Sequence, residues 1–269
     1  QVFNNSLQSA KIVSLLDIKP VKVMNPLSDT MSHLRTSLIQ GLLETADYNV
    51  KNGAADLMLF EWGNVFEQEK PGFEGIVEKF HLYGLIHGSH TQPSVYHKSA
   101  RPTSFLVLKG LISTLLSRLK IPDVSFSVED DNVSDFKNSY SVISGGKIIG
   151  QIGDVSPKLS SGMNLDVGPA FGFQFDMNQI LSLTEGKIKF QSIVTYPVVQ
   201  RDLNFVLDED VQVGKVSSTI QKNGKNVLKK AEPINIFRNE SIGKNKKAVA
   251  FNLVFQSATK TLEDKDVNP

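Results

Sequence analysis

An α+β fold in two domains is what this sequence predicts, and three observations predict it. An amphipathic stretch from Phe105 to Leu119 is followed by a series of short apolar runs, the pattern of a helix leading into a mainly antiparallel sheet. After Pro197 the pattern restarts as strand, helix, strand, strand within about 60 residues, the opening of a split βαββαβ, ferredoxin-like unit. The chain has 269 residues, enough for two hydrophobic cores at the usual ~100–200 residues per domain.

Each element has its own signal. In NPLSDTMSHLRTSLIQGLLETADYN, Asn25 to Asn49, the residues Leu34, Leu38 and Leu42 sit at helical spacing. Ser28, Asp29, Thr30 and Ser32 precede them as candidate caps, so the spacing predicts a helix from near Ser32 toward Tyr48. Gly41 inside it costs roughly 1 kcal/mol relative to Ala and marks close approach by another element. DLMLFEWG (Asp56 to Gly63) and FHLYGLIHG (Phe80 to Gly88) are short, apolar and closed by Gly, as strands of a buried sheet are. In the clearest helix, Phe105, Leu108, Ile112, Leu115 and Leu119 step by three and four until Pro122 stops the pattern. VSFSV, YSVI, KIIGQIG and FGFQFDM then read as strands, with Gly145-Gly146 as a hairpin turn.

KIKFQSIVTYP resets the pattern. Leu203, Phe205 and Leu207 line one face of a strand, and Val213, Val216 and Ile220 one face of a helix. INIF and the alternating Val249, Phe251, Leu253 and Phe255 follow as strands. A second helix and a fourth strand would come next in such a unit, and the sequence ends at EDKDVNP. The expected boundary lies at Gln191, giving domains 1–191 and 192–269.

Charge and composition narrow the chemistry. With 29 Lys and Arg against 28 Asp and Glu, the chain is neither a polybasic nucleic-acid binder throughout nor an acidic disordered chain. The absence of Cys removes disulfides, thiolate metal sites and thiol nucleophiles. No apolar run reaches the ~18 residues of a membrane span, and the start carries no secretory pattern, so a soluble, cytoplasmic protein is expected. The neutral balance hides an asymmetry: Lys215 to Lys247 holds nine Lys or Arg against only Glu232 and Glu240. That is the footprint of a polyanion-facing module, or else a solvated lysine face.

Catalytic motifs are missing. His81, His87, His90 and His97 are close in sequence but lack an obvious carboxylate partner for zinc. Glu129-Asp130-Asp131 lacks the alternating ligands of a calcium loop. No phosphate loop, dinucleotide fingerprint or nucleophile elbow is present. Phe237-Arg238-Asn239-Glu240 fits the FRxE pattern of class II aminoacyl-tRNA synthetases, yet no Gly-rich strand ending in Glu-Arg follows it, so it reads as a chance match.

A series of matches in one order identifies a family. NPLSDTMSHLRTSLIQGLLETADYN and LMLFEWGNVF resemble the NPLS, LRxSLxxGLL and FExGxxF elements of the β chain of bacterial-type phenylalanyl-tRNA synthetase. VLKG (Val107 to Gly110) is similar to its DLKG, and IGQIGDVSP (Ile149 to Pro157) to its IGxxGxxHP. YPVVQRDLNFVLDEDV and INIFRNESIGKNKKAVAFNLVFQSATKTLEDKDV resemble its ferredoxin-fold anticodon-binding domain. INIFR departs from the family's LFDVY, KKA from KSL, and VLKG lacks the Asp.

The resemblance implies a class II synthetase-like, non-catalytic antiparallel sheet domain followed by a ferredoxin-like domain lacking its last elements. It implies an α chain that holds the active site, in an α2β2 tetramer, with tRNA(Phe) as the other partner, and neither DNA nor membrane. ATP and Mg2+ would serve the whole enzyme, with no cofactor, metal or catalytic residue in this piece. Leu34, Arg35, Leu38 and Leu42 are the expected α-chain interface, the leucines being alternatively intradomain core and Arg35 a snorkelling side chain. Arg201, Lys222, Lys225, Lys229, Lys230, Lys244, Lys246 and Lys247 are the expected tRNA phosphate contacts, with Arg201-Asp202 alternatively a structural ion pair and Phe237 a core residue. A reading from another class is a stand-alone RNA-binding or scaffold module with no synthetase role.

Overall fold

The structure is a computed structural model that describes residues 7–8, 19–96, 98–128, 135–184 and 192–267. His97 and the Glu129-Asp130-Asp131 run lie outside the described residues. The chain forms two compact units, Gln1–Ile188 and Lys189–Pro269. Among the described residues no helix is long and apolar enough to cross a membrane.

In the first unit the order is β1 (Leu7–Gln8), β2 (His33–Leu34), α1 (Ile39–Lys51), β3 (Leu57–Gln68), β4 (Ile76–His87), β5 (Ser89–Thr91) and β6 (Arg101–Pro102). It continues with α2 (Phe105–Arg118), β7 (Ser125–Val128), β8 (Phe136–Ser144), β9 (Lys147–Val155), α3 (Pro157–Gly162), β10 (Ala170–Asp176) and α4 (Met177–Leu183). Six strands form one antiparallel sheet in the order β3-β4-β10-β9-β8-β7. Gly145 and Gly146 close the β8–β9 hairpin with φ of +56° and +75°, the left-handed values that a two-residue turn requires. Ser104 caps α2 by accepting from Val107 N at 3.3 Å, and Asp176 caps α4 by accepting from Asn178 N and Gln179 N.

Each face of the sheet has its own core. Under α1, Leu42, Leu43 and Ala46 pack with Leu57, Leu85, Val155 and Ala170. Under α2, Leu108, Ile112 and Leu116 pack with Ile86, Val142, Ile152 and Phe175, joined by Ile180 of α4. A fully buried aliphatic side chain contributes about 1.5–3 kcal/mol, so α2 is held mainly by this stripe. Two short helices, α3 and α4, have too few turns to show a helical period in the sequence.

The first helix starts later than the spacing predicts. Instead of beginning near Ser32, it begins at Ile39, because the backbone before it is committed elsewhere. Leu34 N donates to Val21 O, and Arg35 O accepts from Phe66 N, both at 2.9 Å. Leu34 is half-buried in β2 opposite Leu7, while Leu38 and Leu42 are 1% and 4% exposed. The stripe expected to face a partner is thus turned into the unit's own interior.

Arg35 is buried as well. Its Nε donates to Asn64 O at 2.8 Å and its Nη1 to Glu61 Oε1 at 2.7 Å. It neither snorkels nor waits for a partner subunit. Two glycines make room: a Cβ on Gly63 would collide with Arg35 Nη2, and one on Gly41 would stand 3.3 Å from Glu61 Oε2. The close approach expected at Gly41 is therefore an approach to β3.

Beside this pair lies a polar network. Ser37 Oγ donates to Asp135 Oδ2 at 2.7 Å, Tyr83 OH donates to Gln174, and Gln174 Nε2 donates to Gln151 Oε1 at 2.5 Å. Burial pushes the Asp135 carboxyl above its ordinary range, against the opposing pull of the hydrogen bond from Ser37 Oγ.

Two predictions follow from these contacts. Arg35→Met should lower unfolding free energy by about 3 kcal/mol by stranding Glu61. Gly63→Ala should cost about 2 kcal/mol in the parent and far less once Arg35 is Met, so urea denaturation of the four-variant cycle should show coupling of at least ~0.5 kcal/mol; simple additivity would refute the contact. For Asp135, a raised folded-state pKa means its stabilising contribution is complete below the unfolded value of about 3.9 and is lost as pH rises through the folded value. The stability of the parent relative to Asp135→Asn should therefore fall as pH rises above ~4, and a difference that stays flat or grows would contradict the buried acid.

Candidate nucleic-acid interface

The second unit is a three-stranded antiparallel sheet with β13 in the centre. Its elements are β11 (Val199–Asp208), α5 (Val213–Asn223), β12 (Leu228–Phe237), β13 (Lys246–Phe255) and α6 (Asp264–Val267), with sheet order β11-β13-β12. Val249, Phe251, Leu253 and Phe255 point from β13 into a core shared with Phe205, Leu207, Val213, Val216 and Ile220. Alternation along a strand sends the other residues to the opposite, helix-free face.

Register shows what that face carries. Val206, Ala248 and Phe237 form one cross-strand row, Asn204, Ala250 and Asn235 the next, and Asp202, Asn252 and Glu232 a third. Phe237 is 51% exposed, which corrects its reading as a core residue. Residues 232–237 are all exposed, and a bulge between Pro233 and Asn235 decides which side Phe237 takes. Counted from Ala231 and Pro233, which pair with the core-facing Leu253 and Phe251, strict alternation would put Phe237 on the core side; the extra residue, Ile234, shifts the parity and sets Phe237 opposite Ala248 on the other face. A face that carries an exposed aromatic ring with amides in the next row can stack on an unpaired base and hydrogen-bond to base edges.

The expected phosphate contacts fall into two groups. Several cations are already engaged. Arg201 pairs with Asp264, Lys230 with Glu232 at 2.8 Å and Lys246 with Asp208 at 2.9 Å. Lys247 is buried, donating its Nζ to Glu209 O at 2.6 Å, and Lys229 Nζ donates to Asn226 O at 3.2 Å. The partner of Arg201 is not the adjacent Asp202, whose carboxylate accepts from Asn252 Nδ2 at 2.8 Å. The side chain of Lys225 lies outside the described residues.

Lys222 and Lys244 are exposed, and among the described residues neither forms an ion pair. Lys222 shares a face of α5 with Lys215, a cation counted in the basic segment but not singled out from it. Seven residues separate them, and the face they share is opposite Val213, Val216 and Ile220. Lys244 stands in the turn between β12 and β13, next to the end of β12 that carries Phe237. The platform and the free cation at its edge are therefore neighbours in the fold.

Arg238, of the FRxE-like tetrapeptide, is bound by Glu209 through Nη2 at 2.7 Å and Nε at 3.1 Å. That bond holds Glu209 below and Arg238 above their ordinary ranges. A guanidinium so engaged is not a free nucleotide ligand. In the first unit, His87 and His90 bond through Nδ1 to the carbonyls of Pro169 and Pro102 at 2.9 and 3.1 Å.

Comparison with known proteins agrees with both units. Residues 1–177 match the family described as the phenylalanyl tRNA synthetase beta chain CLM domain, and residues 194–269 match the ferredoxin-fold anticodon binding domain. The chain is 32% identical over 265 residues to the phenylalanine–tRNA ligase beta subunit of Listeria innocua, covering 97% of this chain and 32% of that protein. It is 29% identical over 247 residues to the same subunit of Bacillus subtilis, covering 90% and 30%. It thus spans about a third of the length of these curated relatives. The pyrrolysyl-tRNA synthetase of Desulfitobacterium hafniense shares the fold, with a TM-score of 0.51 and 15% identity over 69% of this chain and 63% of that one. This likeness makes the antiparallel sheet class II synthetase-like, as expected. By two family matches in sequence order and by relatives aligned over nearly its whole length, the chain belongs to the phenylalanyl-tRNA synthetase β-chain family.

Proposed function

We propose that this chain is a non-catalytic β-chain piece that supports ATP-dependent attachment of phenylalanine to tRNA(Phe) in the cytoplasm. In this reading residues 1–191 hold the α chain, within an α2β2 assembly, and residues 192–269 dock the anticodon stem-loop. The observation that carries it is the helix-free face of the second unit. There a half-exposed Phe237 shares a row with Ala248 and Val206, the next row carries Asn204 and Asn235, and Lys244 stands in the turn that follows β12. Lys and Arg contacts to phosphate give affinity without sequence information, and stacked, hydrogen-bonded loop bases supply identity. The reading assigns phosphate contact to Lys222 and Lys244 first. Arg201, Lys229, Lys230 and Lys246 would have to exchange a protein partner for phosphate, and Lys247 would have to leave the interior.

ATP and Mg2+ are assigned to the α chain. Among the described residues no three His, Asp or Glu side chains converge as ion ligands, and Arg238 is taken by Glu209. The residues described do not fit either group. A stand-alone RNA-binding or scaffold role is not favoured, because a synthetase-chain domain and an anticodon-binding domain follow one another along the chain.

Two measurements test the reading. Binding of tRNA(Phe) should weaken by about tenfold or more between ~50 and ~200 mM salt; Lys222→Ala and Lys244→Ala should each flatten the salt slope by about one, whereas Phe237→Ala should lose about 1–3 kcal/mol with the slope unchanged. Salt-independent affinity would reject the lysine assignment. The chain alone should form no phenylalanyl-adenylate, and ATP–pyrophosphate exchange without the α chain would overturn the non-catalytic role.

A further inference from the structure

The edge strand of the first unit carries an unpartnered apolar row. β3 is the outermost strand of the six and is twelve residues long. Met58, Phe60 and Trp62, alternate residues along it, are 55%, 72% and 66% exposed. Their cross-strand neighbours on β4 and β10 are Ile86, Gly84 and Leu82, then Phe171, Phe173 and Phe175. The row therefore continues the apolar face that α2 and α4 cover farther along the sheet. Gly84 has no room for a side chain because the Phe173 ring lies over it, which brings the covered part of that face up to Phe60.

The same three residues hold the open half of the sheet edge. At the other half, Phe66 N donates to Arg35 O and Gln68 N to Lys19 O, both at 2.9 Å, and Asn64 O accepts from Arg35 Nε. These bonds show that the even-numbered residues direct their backbone groups away from β4. The register runs without a bulge from Leu57 to Gln68, so Met58, Phe60 and Trp62 direct theirs the same way. Among the described residues nothing bonds to them. Segments of this chain cap one half of the edge, and the other half offers backbone donors and acceptors at strand spacing together with large apolar side chains.

We propose that an extended strand of the α chain adds to β3 at Met58, Phe60 and Trp62, with apolar residues of its own laid over this row. The free backbone groups call for a strand rather than a helix. The exposed parts of one Phe, one Trp and one Met amount to roughly 400 Å², about half of what each side of a stable interface buries. The row is thus the centre of a larger contact, and it replaces the buried Leu38 and Leu42 as the assembly surface. The proposal rests on the β-chain reading above and deepens it by assigning the surface that meets the α chain.

The absence of Cys supplies the test. Phe60→Cys introduces a single thiol on the row, and Leu181→Cys a control on α4, where Leu181 is 62% exposed. Alkylation of each variant is followed by the mass of this chain, with and without the α chain, and amide exchange is read across residues 57–63. The expected result is co-purification with the α chain, alkylation at position 60 slowed by at least about tenfold with the control unchanged, and slowed exchange at Met58, Phe60 and Trp62. Co-purification with position 60 as reactive as before overturns the surface but leaves the β-chain reading standing. Protection of the thiol without slowed amide exchange overturns strand addition. A thiol already shielded in the chain alone shows that its own residues cover the row, and likewise overturns the proposal. Failure of the parent to co-purify brings down the assembly role and this surface with it.

Discussion

The guanidinium of Arg35 joins the segment before the first helix to the edge of the sheet. Its bonds to Glu61 and Asn64, with Arg35 O receiving Phe66 N, tie the non-helical segment around Arg35 to β3. This delays α1 to Ile39 and sets Leu38 and Leu42 into the core. A buried charge pair gives little net stability over an apolar substitute, but breaking one partner is costly. Its effect here is to fix geometry. LRTSL and FEWG, far apart in sequence, meet as Arg35, Leu38, Glu61 and Gly63. The glycine belongs to that arrangement because the guanidinium fills the volume a side chain would occupy.

From this anchored edge the sheet divides into two chemical characters. On the α1 face, the row formed by Glu61, Tyr83, Gln174, Gln151 and Ser141 crosses the sheet as polar groups beside the leucines under α1. On the α2 face the corresponding rows are apolar from β3 through β4 to β10 and run out uncovered at β3. Alternation of side chains along each strand is enough to make one sheet serve both. The second unit uses the same rule, with its core on one face and an aromatic ring and amides on the other.

Much of this was legible in the sequence. Phe105 to Leu119 announced α2 because a stripe buried against one sheet must recur at helical spacing. The alternation at Val249, Phe251, Leu253 and Phe255 announced the central strand β13 in the same way. Leu34, Leu38 and Leu42 misled because their spacing fits a helix equally well when the chain before Ile39 is pulled straight by tertiary hydrogen bonds. Phe237 misled because a bulge changes parity without any composition signal beyond Pro233. The list of lysines was sound as a net charge, but it did not distinguish Lys222 and Lys244 from cations engaged within the unit: Lys246 by Asp208 across the sheet, Arg201 by Asp264 of α6, Lys230 by Glu232 on its own strand, and Lys229 and Lys247 by backbone carbonyls. Such engagements depend on tertiary placement, which periodicity alone does not encode.

The open half of β3 also bears on how this protein is made. An exposed edge with apolar side chains pairs with any strand that reaches it, including the β3 of another copy. A chain synthesised faster than its partner would accumulate with that edge free, and crowding would then favour self-association. Under the assembly proposed above, balanced synthesis of the two chains would be a solubility requirement as well as a stoichiometric one. Three side chains, Met58, Phe60 and Trp62, set how strict that requirement is.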